Sequence, residues 1–88
     1  MAEVLTTVVD LLELVTDVPA EEIGGATRFD SLAGWTSLAA LRLLTSVEDR
    51  FGLRLDLRAY FAAAEVADLV TLISEGADRD RASRAGIA

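Results

Sequence analysis

The sequence predicts an all-α fold: a small four-helix bundle of three main helices and one short helix, with a long loop between the first two. Three segments repeat apolar residues at spacings of three and four, the period of an amphipathic helix. Glycine and the single proline stand near the ends of these segments, where they terminate helices. No strand is expected, because the only alternating run, residues 53–57, is short and has no partner.

The first helix is predicted over residues 3–16 and should stop near Asp17, because Pro19 disfavours helix in the residue before it. Residues 19–34 then form a long loop, a feature that is uncommon in a compact domain and often functional. The apolar residues of the first helix share one face: Val4, Val8, Leu11, Leu12 and Val15. Three loop residues should anchor the loop to the core: Ile23, Phe29 and Leu32.

The second helix is predicted over residues 37–50 and ends at Gly52. Its apolar stripe is Leu38, Leu41, Leu44, Val47 and Phe51. All of this stripe is assigned to the core except Leu38, which lies so close to the helix start that we expect partial exposure.

A short third helix is predicted over residues 57–62, with Tyr60 and Phe61 in the core and at its rim. The last helix, residues 65–74, should end at Gly76. Its inner face is Val66, Leu69, Val70 and Ile73. Residues 1–76 are therefore predicted to form one domain, and the polar, aperiodic residues 77–88 a disordered C-terminal tail.

The composition excludes several classes of function. The chain of 88 residues has no Cys and no His, which excludes zinc-finger, disulfide and Cys- or His-based catalytic sites. It has no Lys and no obvious catalytic carboxylate pair, so we expect no enzyme activity. Glu21, Glu22 and Asp30 match no calcium loop, and no metal is expected.

The net charge and the hydropathy pattern indicate which partners and which cellular compartment to expect. A net charge of −7 repels phosphate backbones and favours basic partners, so nucleic-acid binding is not expected. The N-terminal residues do not follow the basic-then-apolar pattern of a secretion signal, and no apolar run approaches the roughly 20 residues of a membrane span, so we expect neither secretion nor membrane insertion. We expect a cytoplasmic monomer.

Two Ser-Leu pairs lie six residues apart, at Ser31 and at Ser37. Ser37 stands where the long loop meets the second helix. There it can act as the N-cap, a role that Thr36 can also fill. Alternatively, its exposed hydroxyl can carry a phosphate, because the free amides and the dipole of a helix N-terminus favour an anion. The residues alone leave both interpretations open.

Three further segments are informative: GWTSL at residues 34–38, EDRFG at 48–52 and VADL at 66–69. They resemble the phosphopantetheine-carrying proteins, which are acyl carrier proteins and the peptidyl carrier domains of nonribosomal peptide synthetases. The resemblance covers about residues 4–74. In that family a Ser-Leu pair opens the second helix and Phe-Gly closes it. Phe51 follows Ser37 by fourteen residues, the family's usual spacing, but follows Ser31 by twenty.

The resemblance implies that Ser37 is the attachment site of 4′-phosphopantetheine and that Ser31 is a loop hydroxyl. A separate phosphopantetheinyl transferase would move the group from coenzyme A to Ser37. The cofactor's thiol would then hold an acyl or aminoacyl cargo as a thioester. An adenylating enzyme or acyltransferase would load this cargo, and downstream synthase or tailoring enzymes would receive it. The carrier itself would catalyse nothing.

Two features bear on the subclass. Phe61 follows Phe51 by ten residues and Val66 follows Phe61 by five, which resembles peptidyl carriers, whereas the GWTSL loop resembles discrete acyl carriers. The mixture favours a free-standing carrier of a polyketide or nonribosomal peptide pathway. The alternatives are an unmodified helical adaptor and a carrier of primary fatty-acid synthesis.

Candidate partner contacts surround the attachment site. Thr36 replaces the Asp that commonly precedes the family's serine, which puts transferase recognition in question. Trp35 either packs on the loop and first helix or flanks the arm, and Arg42 is either a solvated charge or a partner contact. The full set is Trp35, Thr36, Leu38, Arg42, Glu48 and Asp49.

Overall fold

Four α-helices form the described part of the chain. A computed structural model describes the backbone of residues 2–87 and the side chains of residues 2–79. The helices are α1 (Ala2–Thr16), α2 (Ser37–Phe51), α3 (Leu57–Ala62) and α4 (Val66–Ile87). The described residues contain no strand, only an isolated antiparallel bridge between Arg28 and Glu65. The predicted all-α bundle is confirmed, and none of its described helices is both long and apolar enough to span a membrane.

One hydrophobic core is shared by all four helices and the long loop. Spacings of three and four residues place the apolar side chains of each helix on one face, which turns inward. The predicted inner face of α4 is confirmed, since all four of its residues are buried. The fully buried side chains are Val8, Leu12, Leu43, Val47, Val66, Leu69 and Ile73.

The long loop is fastened at the junction of α3 and α4. It contains two 3₁₀ turns, Ala20–Glu22 and Phe29–Ser31. The amide of Phe29 donates to the carbonyl of Ala64, and the amide of Val66 donates to the carbonyl of Thr27. The predicted anchors Ile23, Phe29 and Leu32 are all buried, so the loop is part of the packed structure.

The buried stripe of α2 differs from the prediction. Leu41 was assigned to the core and is 48% exposed, while Leu43 is completely buried. Because both residue 41 and residue 43 are leucine, a small rotation of the helix about its axis decides which of the two faces the core. The neighbouring helices fix that rotation. The buried residues of α2 are Ala39, Ala40, Leu43, Leu44 and Val47.

The end of α4 also differs from the prediction. Gly76 was expected to stop the helix, but α4 continues through it to Ile87. Gly76 is buried, and a Cβ built on it would be in ordinary van der Waals contact with the side chains of Leu53 (3.7 Å) and Leu55 (3.9 Å) in the α2–α3 connector, residues 52–56. The predicted helix end is therefore wrong, and Ala88 lies outside the described residues. The division into a domain of residues 1–76 and a tail of residues 77–88 stays a prediction.

Candidate functional site

Ser37 is the first residue of α2, and its side chain is exposed. The N-cap is Thr36, whose Oγ1 accepts a hydrogen bond from the Ala39 amide at 3.1 Å. The hydroxyl of Ser37 has no hydrogen-bond partner among the described residues. The interpretation of Ser37 as the cap is therefore wrong, and its hydroxyl is available for chemistry.

The start of α2 also suits a phosphate group. The amides of Ser37 and Leu38 have no hydrogen-bond partner in the described part of the chain. The first turn carries no acidic residue that would repel an anion. Unpaired amides and the positive end of the helix dipole stabilise negative charge at this position. An exposed hydroxyl with these neighbours fits a covalently attached phosphodiester.

The second Ser-Leu pair has a different environment. Ser31 ends the 3₁₀ turn Phe29–Ser31, and its hydroxyl donates to the carbonyl of Arg28 at 2.7 Å. This bond stabilises the turn, as is usual for a loop serine. The Ser31 hydroxyl is therefore held in a hydrogen bond within the loop, whereas the Ser37 hydroxyl is not.

Two contacts position the segment that leads into α2. Gly34 has φ +79°, and a Cβ built on it would lie 3.2 Å from the carbonyl oxygen of Thr16 at the end of α1. Trp35 is half-buried and stacks on Phe29, with ring centroids 5.0 Å apart and planes 22° apart. The interpretation of Trp35 as packing on the loop is thus confirmed. Together these contacts set the position of Ser37 relative to α1.

Replacing Gly34 by alanine is expected to lower the free energy of unfolding by about 1–3 kcal/mol, because a side chain is strained at this φ and meets backbone. Urea unfolding measures the change. Gly24→Ala is the matched control, since no atom lies within 4 Å of its Cβ position and its φ is ordinary. Equal losses in the two variants would show that Gly34 has no special role.

The remaining candidate contacts fall into two groups. Glu48 accepts a hydrogen bond from the Leu55 amide at 2.9 Å, so its carboxylate holds the α2–α3 connector. Leu38, Arg42 and Asp49 are exposed along α2, and Leu38 shows 59% of its surface. That they contact partners stays a prediction.

The sequence analysis did not predict one hydrogen bond that lies close to the site. Tyr60 is buried, and its hydroxyl donates to the carbonyl of Ala40, which fastens α3 to α2 one turn after Ser37. Burial raises the pKa of Tyr60. Phe61 is 56% exposed, so the predicted placement of this pair in the core and at its rim is confirmed. No local pattern marks the Tyr60 bond, because its acceptor is a backbone carbonyl twenty residues away.

In the described structure, the acidic side chains of the long loop do not form a group that could bind a cation. Among the described residues, no group of three or more His, Cys, Asp or Glu side chains could hold a metal ion. Asp30 pairs instead with Arg28, and their nearest side-chain atoms are 3.2 Å apart. The hydrogen bond from Arg28 lowers the pKa of the Asp30 carboxyl.

A family profile described as "Phosphopantetheine attachment site" matches residues 6–73, which is more than half of the chain. The chain belongs to the phosphopantetheine-attachment family. The cofactor of this carrier family is covalently attached 4′-phosphopantetheine, and the start of α2 fits it. Family members interact with a phosphopantetheinyl transferase and with pathway enzymes. No curated protein gave a significant match to the chain.

Proposed function

We propose that Ser37 carries the 4′-phosphopantetheine arm, and that this carrier presents acyl or aminoacyl cargo to enzymes of a polyketide or nonribosomal peptide pathway. One observation carries the choice of residue. Thr36 caps α2 and so leaves the Ser37 hydroxyl unpaired and exposed, whereas the loop engages the Ser31 hydroxyl. The family's spacing from its serine to the closing Phe51 supports the same residue.

Attachment requires Ser37 to act as the nucleophile. In a transferase active site its Oγ attacks the phosphorus of coenzyme A that bears the pantetheine. An Oγ–P bond forms, the pyrophosphate bond breaks, adenosine 3′,5′-bisphosphate leaves and the hydroxyl proton passes to a base. The free amides of Ser37 and Leu38 then face the anionic diester. When bound, the group supplies a thiol for holding cargo as a thioester, which a chain without cysteine needs.

The proposed pathway rests on the charges of α2 and on the spacing of aromatic residues from α2 to α3. Between Ser37 and Val47 the chain has no acidic residue, in contrast to fatty-acid carriers, whose second helix meets basic partners. The spacing from Phe51 to Phe61 supports the peptidyl-carrier side of the family. The carrier is a non-catalytic cytoplasmic monomer in this proposal, and a loading enzyme and downstream synthase or tailoring enzymes act on it.

Intact mass spectrometry tests the proposal. The protein is incubated with coenzyme A, magnesium and a broad-specificity phosphopantetheinyl transferase, and the product is digested and mapped. The expected result is a gain of one phosphopantetheine on the peptide that contains Ser37. No gain, under conditions that fully modify a known carrier, would favour an unmodified adaptor.

A further inference from the structure

The short helix α3 has a single buried residue, Tyr60. Its other large apolar side chains are exposed: Leu57 shows 54% of its surface and Phe61 shows 56%. A helix of six residues is not stable by itself, because the unfavourable nucleation step is followed by too few hydrogen-bonded residues. The position of α3 therefore depends largely on the contacts of Tyr60.

The Tyr60 hydroxyl connects α3 to the turn of α2 that begins with Ser37. It donates to the carbonyl of Ala40, and among the described residues this is the one hydrogen bond that joins α3 to another helix. The amide of Ala40 donates in turn to the carbonyl of Thr36, the cap of α2, at 2.9 Å. The backbone of Ala40 thus links α3 to the N-cap of α2.

The chain on either side of α3 is anchored separately. Before α3, Leu55 is buried and its amide donates to the carboxylate of Glu48. After α3, the amides of Ala64 and Glu65 donate to the carboxylate of Asp68 at 3.1 and 3.0 Å. None of these bonds involves a residue of α3, so the helix can move between its two anchors without breaking them.

The side of α3 that faces α4 is made of small residues. An open hollow of about 410 Å³ lies between the two helices, and α3 and its C-cap line it with the methyl groups of Ala59, Ala62 and Ala63. Small side chains bury little apolar surface, so few contacts oppose the movement of α3. Segments with few buried apolar contacts are those that open locally in a folded protein.

We propose that the hydrogen bond from Tyr60 to Ala40 is a latch: α3 opens as a unit, separately from the bundle of α1, α2 and α4, and this bond holds it closed. Closed α3 keeps the exposed side chains of Leu57 and Phe61 in a fixed position relative to the start of α2. The latch is a conformational device of the unmodified chain and does not depend on attachment at Ser37.

Hydrogen exchange of the unmodified protein, followed by NMR, tests the latch. Where exchange reports opening equilibria, the rate at each amide measures the opening that exposes it. The hydrogen-bonded amides of Tyr60 and Ala63 report on α3, and those of the buried residues Leu69 and Val70 report on the whole bundle. In the original protein we expect the α3 amides to exchange faster than the α4 amides and to depend less on urea, because opening α3 exposes little surface.

Tyr60→Phe keeps the ring and removes the latch. We expect the amides of both α3 and α4 to exchange about tenfold faster, because the closed state loses one buried hydrogen bond relative to every open state.

Thr16→Val is the matched control, since the Thr16 hydroxyl is also buried and donates to a carbonyl, that of Leu12, at 2.8 Å within α1. This bond survives when only α3 opens. The control is therefore expected to speed exchange in α4 several-fold and to leave α3 within about twofold of the original protein.

The outcomes decide between a latch and a uniform fold. Faster exchange of α3 in Tyr60→Phe but not in Thr16→Val supports the latch. Equal acceleration of α3 and α4 in both variants would mean that α3 opens only when the whole protein unfolds, and the proposal would be wrong. Unchanged α3 amides in Tyr60→Phe would show that α3 opens without breaking this bond, which also overturns it.

The test does not require that Tyr60→Phe fold. If that variant is unfolded, Thr16→Val is compared with the original protein alone. Selective acceleration of α4 then supports the separate opening of α3, and equal acceleration of α3 and α4 overturns it.

Discussion

Replacing Ser37 by alanine is expected to abolish loading with phosphopantetheine and to leave the fold nearly intact. Alanine removes the oxygen that we propose as the nucleophile, and the neighbouring Thr36 hydroxyl is held in the cap of α2. The Thr36 cap remains, and an exposed helical position accepts alanine well. Intact mass after incubation with transferase and coenzyme A measures loading, and circular dichroism with urea unfolding measures the fold.

Ser31→Ala is the matched control for this experiment. It removes the hydrogen bond from the Ser31 hydroxyl to the Arg28 carbonyl, a change at an exposed turn that costs about 1 kcal/mol or less. Loading of this variant is expected to equal that of the original protein. Loss of loading in Ser31→Ala alone would contradict the choice of Ser37 and the family spacing on which it rests.

Replacing Leu43 by alanine is expected to lower the free energy of unfolding by about 2–5 kcal/mol, because a fully buried leucine leaves a cavity in the core. The same substitution at Leu41, which is 48% exposed, is expected to cost less than about 1 kcal/mol. Urea denaturation measures the difference in the free energy of unfolding between the two variants. The comparison requires that their m-values be similar.

This pair tests the rotation of α2 about its axis. The two leucines lie two residues apart on one helix, so helix propensity is the same and only burial differs. A greater loss for Leu41→Ala than for Leu43→Ala would restore the register predicted from the sequence.

Local signals predicted much of the fold correctly. Pro19 predicted the end of α1 near Asp17, and the helix ends at Thr16. Gly52 predicted the end of α2 and adopts the left-handed conformation there, with φ 64°. The spacing of apolar residues predicted the buried face of α4. Each of these signals acts within a few residues or along one helix, so a single sequence contains it.

Tertiary neighbours decided the rest. Thr36 and Ser37 are both good caps, and the conformation of the loop that enters α2 decides which one fills the role. Leu41 and Leu43 are equal in hydrophobicity, and the positions of the other helices decide which is buried. Gly76 lies within α4 rather than at its end, and it is buried beside Leu53. The sequence by itself determined where helices form and which residues carry candidate chemistry. The packing of helices on one another decided which faces are buried, because that choice depends on residues far apart in the chain.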